Sequence, residues 1–298
     1  MSLTKLFGFG CFAYYSYDLF YDVYKYSFIK PPNHLNTYGN DSYVLVTGAS
    51  EGIGKEFAEN LASQGFNIIL LSRNVDKLNL IAEDLSNRLK VKTLVYPLDL
   101  AKANESDFKT LAEATAELDV SVLINNAGMV KYKQNNEMCY EEIDEIMNLN
   151  GLAATRLIHY FLPRLAKREN KSAIINVSSV IAVKPCPVLC LYSSTKAFTH
   201  YFTVGLSENY KNKVDIMSFM PANVETNMAI SETSPLLITP QLAVQECLKD
   251  LGYKIVSHGY WKHTLVAYIT DLLPQRIRLS AFSYFLNEDI KKLNSKTS

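Results

Sequence analysis

The chain has 298 residues, of which 48% are hydrophobic, so it can bury a large core and is not expected to be disordered. Thirty basic and thirty acidic residues cancel, which argues against a nucleic-acid surface. Five cysteines without a CxxC pair argue against a disulfide framework, and five scattered histidines offer no metal-binding spacing. One α/β domain with appendages is expected, with no metal.

Residues 1–29 are rich in aromatic side chains. LFGFGCFAYYSY, residues 6–17, is uncharged, and Asp18, Asp22 and Lys25 then interrupt the run. Twelve residues of helix reach only about 18 Å, short of the hydrocarbon core of about 30 Å, and no signal-peptide cleavage site follows. We expect an anchor at a membrane interface with its polar edge facing water, or a helix packed on the protein's own surface.

The next stretch, KPPNHLNTYGNDS at residues 30–42, is predicted to be a linker because its prolines and Asn/Gly/Asp cluster suit neither helix nor strand. Short apolar runs then alternate with longer segments of helical spacing. This alternation predicts an α/β fold with a doubly wound parallel sheet covered by helices on both faces, and ligands at the carboxyl ends of the strands. The predicted strands are residues 43–47, 66–72, 91–97, 120–126, 173–179 and 214–220.

The segment TGASEGIG lies between the first predicted strand and a helix. Without a Cβ, glycine lets the backbone turn sharply and approach a pyrophosphate, whose charge meets the free N–H groups of the helix start. The spacing is GxxxGxG rather than GxGxxG, yet its place between strand and helix favours dinucleotide binding over a plain tight turn. The candidate cofactor contacts in this loop are Gly48, Ser50, Gly52, Ile53 and Gly54.

The second predicted strand ends at Ser72 and Arg73. An acidic residue at this place would bind a ribose 2′-OH. The basic Arg73 can instead hold a 2′-phosphate, which predicts NADP(H) as the cofactor; the alternative is an exposed loop arginine without a ligand.

Four motifs, TGASEGIG, NNAG (125–128), NVSS (176–179) and YSSTK (192–196), occur in the order and spacing of the short-chain dehydrogenases/reductases, and the chain resembles that family. The resemblance implies a single Rossmann-type domain. It also implies cofactor contacts from Asp99 at the adenine, Asn126 along the adenosine and Thr226 at the nicotinamide or phosphates. Ala222 departs from the family, which usually has glycine after this proline.

The same resemblance implies a catalytic set of Asn148, Ser179, Tyr192 and Lys196. An isolated YxxxK pair is usually a surface tyrosine with a lysine stem beside it, but the four motifs together favour catalysis. Tyr192 would donate a proton to a ketone, Ser179 would bind the carbonyl oxygen, and Asn148 would hold a water that relays protons to Lys196. Lys196, one helical turn after Tyr192, would hold the nicotinamide ribose and lower the pKa of the tyrosine.

Further resemblance narrows to the branch of 17β-hydroxysteroid dehydrogenases and very-long-chain 3-oxoacyl-CoA reductases. It rests on the stretch from the glycine loop through SRNVDKL, on KPCPVLCLYSSTKAF and on HGYW at residues 258–261. It implies a long-chain 3-oxoacyl-CoA as the substrate, reduced to the 3-hydroxyacyl-CoA, with a steroid ketone as the alternative, and a homodimer. It also implies residence on the endoplasmic reticulum membrane, with the active site facing the cytosol, or in the cytoplasm if residues 1–29 are not an anchor. A cofactor-binding scaffold without catalysis is the alternative from another class.

Two segments follow the predicted strands. SETSPLLITP, residues 231–240, is expected to be a mobile loop that could cover the substrate, with Thr239 and Pro240 as N-cap and first residue of the next helix. The catalytic domain is placed at residues 43–263, and 264–298 is predicted to be an amphipathic helix with a tail. Asp271, Arg276 and Arg278 make this segment too charged to span a membrane.

Overall fold

The computed structural model describes residues 2–30, 32–229 and 234–297. Within these residues one sheet carries seven parallel strands in the order β3-β2-β1-β4-β5-β6-β7. The strand order reverses between β1 and β4, the place where the fold opens a crevice at the carboxyl edge. The strands are β1 (Tyr43–Thr47), β2 (Asn67–Ser72), β3 (Thr93–Pro97), β4 (Val120–Asn125), β5 (Ser172–Val177), β6 (Val214–Phe219) and β7 (Val256–Ser257).

Helices cover both faces of this sheet. Successive strand residues point to opposite faces, so that Val44 and Val46 of β1 belong to one buried cluster and Leu45 to the other. The predicted Rossmann-type fold is confirmed. The helices are α1 (Leu3–Phe28), α2 (Leu35–Tyr38), α3 (Gly52–Ser63), α4 (Val75–Leu89), α5 (Glu105–Ala114), α6 (Tyr140–Ile146), α7 (Ala153–Lys167), α8 (Cys190–Tyr210), α9 (Pro240–Asp250), α10 (Trp261–Leu272) and α11 (Gln275–Thr297).

The stretch predicted to be a linker, residues 30–42, contains α2 and packs against the body of the protein. Tyr38 is 1% exposed, and its hydroxyl donates to Asp215 Oδ2 at 3.1 Å. The prediction of a linker is wrong here because a buried tyrosine docks the segment on the protein. The Pro/Asn/Gly composition does not reveal that contact.

The C-terminal segment differs from the single predicted helix. α10 ends at Leu272, and α11 begins at Gln275, after Pro274, whose ring disfavours helical backbone in the residue before it. The predicted domain boundary at residue 263 falls inside α10, where His263 and Thr264 are 0% and 1% exposed. α10 is therefore part of the folded body. The predicted cap of α9 is confirmed, since Thr239 accepts from the Leu242 N–H and Pro240 is the first helical residue.

α1 has two dissimilar halves. Phe7, Phe9 and Phe12 are 75%, 67% and 69% exposed, whereas Asp22 and Lys25 are 3% and 0% exposed. The expected polar edge facing water is thus wrong for these two residues, because buried partners on the body satisfy their charges. In the described part of the chain, no helix combines the length and the apolar character needed to cross a membrane.

Candidate active site

A cleft of about 330 Å³ opens at the carboxyl edge of the sheet, between the loops that follow β1 to β6. Each loop is brought there because parallel strands end on the same edge. Tyr192 and Lys196 of α8 form part of its wall, and Leu286 of α11 reaches it from the C-terminal segment.

The glycine loop after β1 is held by backbone contacts that exclude side chains. Gly48 and Gly52 have φ angles of 65° and 57°, which favour glycine. A Cβ on Gly54 would lie 2.2 Å from the Gly48 carbonyl oxygen and 2.4 Å from Asn126 Nδ2. The Asn126 amide supports the loop by donating to the Thr47 carbonyl at 3.0 Å. Ser50 and Ile53 also line the cleft, so the structure brings the predicted loop contacts together.

Arg73 lies at the outer end of this cleft. Its Nη1 is 3.9 Å from Asp99 Oδ2, and its side chain is 65% exposed, so the guanidinium is loosely held and accessible to an anionic group. Ser72 Oγ donates to Ser50 Oγ at 3.0 Å, which joins the end of β2 to the glycine loop. The predicted phosphate and adenine contacts thus lie beside the dinucleotide cradle.

Ser179, Tyr192 and Lys196 lie together on the opposite side of the cleft. Lys196 is 5% exposed; its Nζ donates to the Val177 carbonyl at 2.9 Å and lies 5.7 Å from the centroid of the Tyr192 ring. Ser178 Oγ donates to the Lys196 carbonyl at 2.7 Å and so joins the end of β5 to α8. These bonds fix Lys196 against the end of β5, and Ser179 and Tyr192 line the same cleft.

The electrostatics of the pair differ from the expectation. Burial raises the pKa of Tyr192 to about 12 and lowers the pKa of Lys196 to about 8, because each side chain loses water that would stabilise its charged form. The expected lowering of the Tyr192 pKa by Lys196 is not seen in this structure, where burial is the cause of the shift. Tyr192 is a protonated phenol at neutral pH, as a proton donor must be.

The structure places Asn150, and not Asn148, near Lys196. Asn150 is 3% exposed, its Nδ2 donates to Thr195 Oγ1 at 3.3 Å, and a Cβ on Gly128 would touch both Asn150 Oδ1 and Lys196 Nζ, at 3.3 and 3.4 Å. Neither asparagine lines the cleft itself, and Asn148 is only half-buried. The choice of Asn148 is corrected for a physical reason: MNLNG lies in a π-helical turn, Met147–Leu152, whose wider winding changes which asparagine faces α8.

The loop after β6 completes the cleft. The Thr226 methyl group would be 2.9 Å from a Cβ on Gly52, so Thr226 lies directly against the glycine loop. Its Oγ1 accepts from the Met228 N–H at 3.3 Å. Residues 231–233 of the predicted covering loop, 231–240, lie outside the described residues. Of the rest, Leu236 is partly buried and Ile238 is buried.

Tyr132 is a cleft residue that the sequence analysis missed. Its hydroxyl donates to the Met228 carbonyl at 2.7 Å, and burial, with Tyr192 nearby, raises its pKa. No motif marks this residue, because its position depends on two loops that are distant in the sequence.

Comparison with known proteins identifies the family. The family model described as short chain dehydrogenase matches residues 42–236. The chain belongs to the short-chain dehydrogenase family. A human protein named inactive hydroxysteroid dehydrogenase-like protein 1 is 32% identical over 268 residues, covering 86% of this chain and 80% of that protein. A Bos taurus protein named very-long-chain 3-oxoacyl-CoA reductase is 33% identical over 238 residues, covering 78% and 75%.

Solved structures of this family agree with the fold. A short-chain dehydrogenase from Sphingobium yanoikuyae in complex with NADPH has a TM-score of 0.65 and 28% identity, covering 70% of this chain and 84% of that one. The chain is an oxidoreductase of this family with a site for a nicotinamide cofactor. Two features fit a bound dinucleotide. At Gly54 the backbone is packed so closely that a Cβ would collide, and the Arg73 guanidinium is accessible to an anionic group.

Proposed function

We propose that this oxidoreductase uses NADPH to reduce the ketone of a lipid, a long-chain 3-oxoacyl-CoA giving the 3-hydroxyacyl-CoA. The observation that carries this proposal is one cleft that joins a dinucleotide cradle, an accessible Arg73 and the pair of Tyr192 and Lys196. Arg73 would bind the 2′-phosphate that distinguishes NADPH from NADH.

In the proposed reaction the bound cofactor supplies hydride to the carbonyl carbon. Ser179 donates a hydrogen bond to the carbonyl oxygen and orients it beside the phenol. The Tyr192 hydroxyl donates its proton as the oxygen becomes an alkoxide, and the Lys196 ammonium stabilises the phenolate that remains. Asn150, in the place first predicted for Asn148, would hold the water that returns a proton toward Lys196.

The substrate assignment rests on the relatives named very-long-chain 3-oxoacyl-CoA reductase and on Leu286, an apolar side chain of α11 at the cleft. A steroid 17-ketone is the main competitor, because it also presents a carbonyl at the end of an apolar body. Purified protein with NADPH should be given 3-oxoacyl-CoA esters of increasing length beside estrone and androstenedione. A kcat/KM more than tenfold higher for the steroids, about 1.4 kcal/mol of transition-state preference, would exclude the acyl-CoA assignment.

Two variants test the chemistry and the cofactor. Tyr192→Phe keeps the ring and removes the proton donor, so turnover should be lost while NADPH binding stays nearly unchanged.

Arg73→Asp should reverse the preference from NADPH to NADH, because a carboxylate repels the 2′-phosphate and can bind the 2′-OH. Equal affinity of the native protein for both cofactors would contradict the role of Arg73.

A catalytically silent cofactor-binding scaffold is the second candidate, favoured by the similarity to relatives named inactive. Against it, this chain carries Ser179, Tyr192 and Lys196 in the wall of one cleft, with Lys196 Nζ 5.7 Å from the centroid of the Tyr192 ring. The scaffold would bind NADPH but oxidise none of it with any ketone of the panel, and Tyr192→Phe would then be indistinguishable from the native protein.

Localisation and assembly are also proposals. The exposed aromatic residues in the first half of α1 support an anchor on the cytosolic face of the endoplasmic reticulum membrane. Replacing Phe7, Phe9 and Phe12 by serine should move the protein from the membrane fraction to the soluble one. Phe198 and Tyr201 of α8 are 45% and 67% exposed and support a homodimer through this helix, which sedimentation of native protein and Tyr201→Asp would test.

A further inference from the structure

A histidine outside the family motifs holds the loop after β6 from behind. His263, in the first turn of α10, is 0% exposed. Its Nδ1 accepts from the Ala222 N–H at 3.2 Å, and its Nε2 lies 2.9 Å from the Leu236 carbonyl oxygen. One imidazole thus joins two chain segments that are fourteen residues apart, numbered 222 and 236.

Both bonds require the same form of the ring. Nδ1 must carry a free lone pair to accept from Ala222, so the proton of the neutral imidazole is on Nε2 and is donated to Leu236. An imidazolium could not accept at Nδ1. Burial lowers the His263 pKa, which is consistent with a neutral ring.

The segments held by His263 also pair with each other. The Glu225 N–H donates to the Ile238 carbonyl at 2.9 Å, and the Ile238 N–H donates to the Asn223 carbonyl at 3.2 Å. The unit formed by residues 222–225 and 236–238 continues directly into Thr226, which touches the glycine loop. His263 therefore attaches the wall that faces the cofactor cradle to α10.

The beginning of α10 is itself firmly placed. Thr264, the next residue, donates to Asp22 Oδ2 of α1 at 2.6 Å, and Gly259 accepts from Lys25 Nζ at 3.1 Å. His263 thus projects from a fixed support and not from a free helix end.

We propose that His263 is a positioning residue for the cofactor: by bonding Ala222 and Leu236 it fixes the wall that carries Thr226 against the glycine loop. The proposal rests on the proposed use of NADPH. It also explains why alanine can replace the usual glycine at position 222. This residue contributes its backbone N–H, and that bond can form with a side chain present.

Three substitutions separate the two bonds. His263→Asn retains an acceptor near the position of Nδ1 and loses the Leu236 bond, while His263→Gln retains a donor near the position of Nε2 and loses the Ala222 bond. His263→Phe keeps a ring and loses both. We expect the dissociation constant of NADPH to rise about fivefold in each single-bond variant and more in His263→Phe, with kcat less affected than KM for NADPH.

His34→Phe is the matched control, because His34 is another buried histidine, 3% exposed, but it is the residue before α2 and does not line the cleft. It should lower stability without changing NADPH affinity. An equal loss of affinity in His34→Phe, or affinities within twofold of native in the folded His263 variants, would overturn the proposal. If His263→Phe does not fold, the Asn and Gln variants decide.

A second readout does not depend on NADPH. Cleavage of the cofactor-free protein by a glutamate-specific protease at Glu225 should be faster in the His263 variants than in native protein or His34→Phe. Unchanged cleavage rates would contradict the positioning role. Failure of native protein to bind NADPH would instead contradict the proposed function, so the two failures are distinguishable.

Discussion

The two walls of the cleft are built in different ways. The glycine loop after β1 is fixed by neighbouring backbone, since even one methyl group on Gly54 would collide with Gly48. The loop after β6 is fixed by side chains from remote segments, with His263 of α10 behind it and Tyr132 at its far end. The first wall is rigid through the local chain, whereas the second depends on how the C-terminal segment and α1 pack.

Because the second wall depends on α10, it also depends on the helix α1 that packs against α10. Its second half supports α10, because Lys25 Nζ bonds Asp250 Oδ2 at 2.8 Å as well as the Gly259 carbonyl. Burial raises the Asp250 pKa although the lysine is in contact, so this carboxylate depends on its buried partners. The N-terminal helix is thus part of the fold of the enzyme over half its length.

The largest effect is expected from Lys25→Met, which tests that dependence. Removing the ammonium leaves Asp250 buried without its cation, and the free energy of unfolding should fall by about 3 kcal/mol. Lys5→Met, on the exposed half of the same helix, is the control and should change it by less than about 0.5 kcal/mol. Chemical denaturation measures both. Equal stabilities would mean that α1 is not docked in solution.

The next largest effect is expected from Gly54→Ala, which disturbs the other wall. The added methyl group must displace the Gly48 carbonyl, and NADPH should bind on the order of 100-fold more weakly, near the upper end of the cost of overpacking. In Gly205→Ala the new methyl group meets nothing within 4 Å, so this control should keep the native affinity. A native affinity in Gly54→Ala would show that the wall is less constrained than its backbone contacts indicate.

The two asparagines of MNLNG give a sharper test within the catalytic side. Asn150→Ala removes the amide that bonds the Met129 backbone and Thr195, and kcat should fall at least about tenfold. Asn148→Ala should keep kcat within about twofold. The reverse result in steady-state kinetics would restore the assignment made from the motif.

The smallest effect is a pH dependence. The Lys196 pKa of about 8 means that its ammonium is present below pH 8 and lost above it, while Tyr192, with a pKa of about 12, stays protonated. The kcat/KM for NADPH, which reports the free enzyme, should therefore decrease above about pH 8. Lys196→Arg should move this decrease above pH 10, since arginine keeps its charge. If the decrease stays at the same pH in Lys196→Arg, it is caused by the titration of another group.

Much of the first wall could be predicted from the sequence. TGASEGIG between a strand and a helix fixes the place of Gly48, Gly52 and Gly54, because only a residue without a Cβ permits that backbone. The resemblance of NVSS and YSSTK to the motifs of the family likewise implied Ser179, Tyr192 and Lys196, which the structure brings to one cleft. These features are local, or are set by the shared carboxyl edge of a parallel sheet, so periodicity together with the motif resemblance is sufficient.

Tertiary structure alone decided the rest. Whether Asn148 or Asn150 faces Lys196 depends on a π-helical turn packed against α8, and the pKa of Tyr192 depends on how much water its surroundings exclude. Asp22 and Lys25 gave the same sequence signal as charges on a solvated helix edge, yet they are buried by partners more than 200 residues away in the chain. Contacts between residues so far apart in the chain leave no local sequence pattern. Each residue is compatible with its own helix or loop whether or not its distant partner is present.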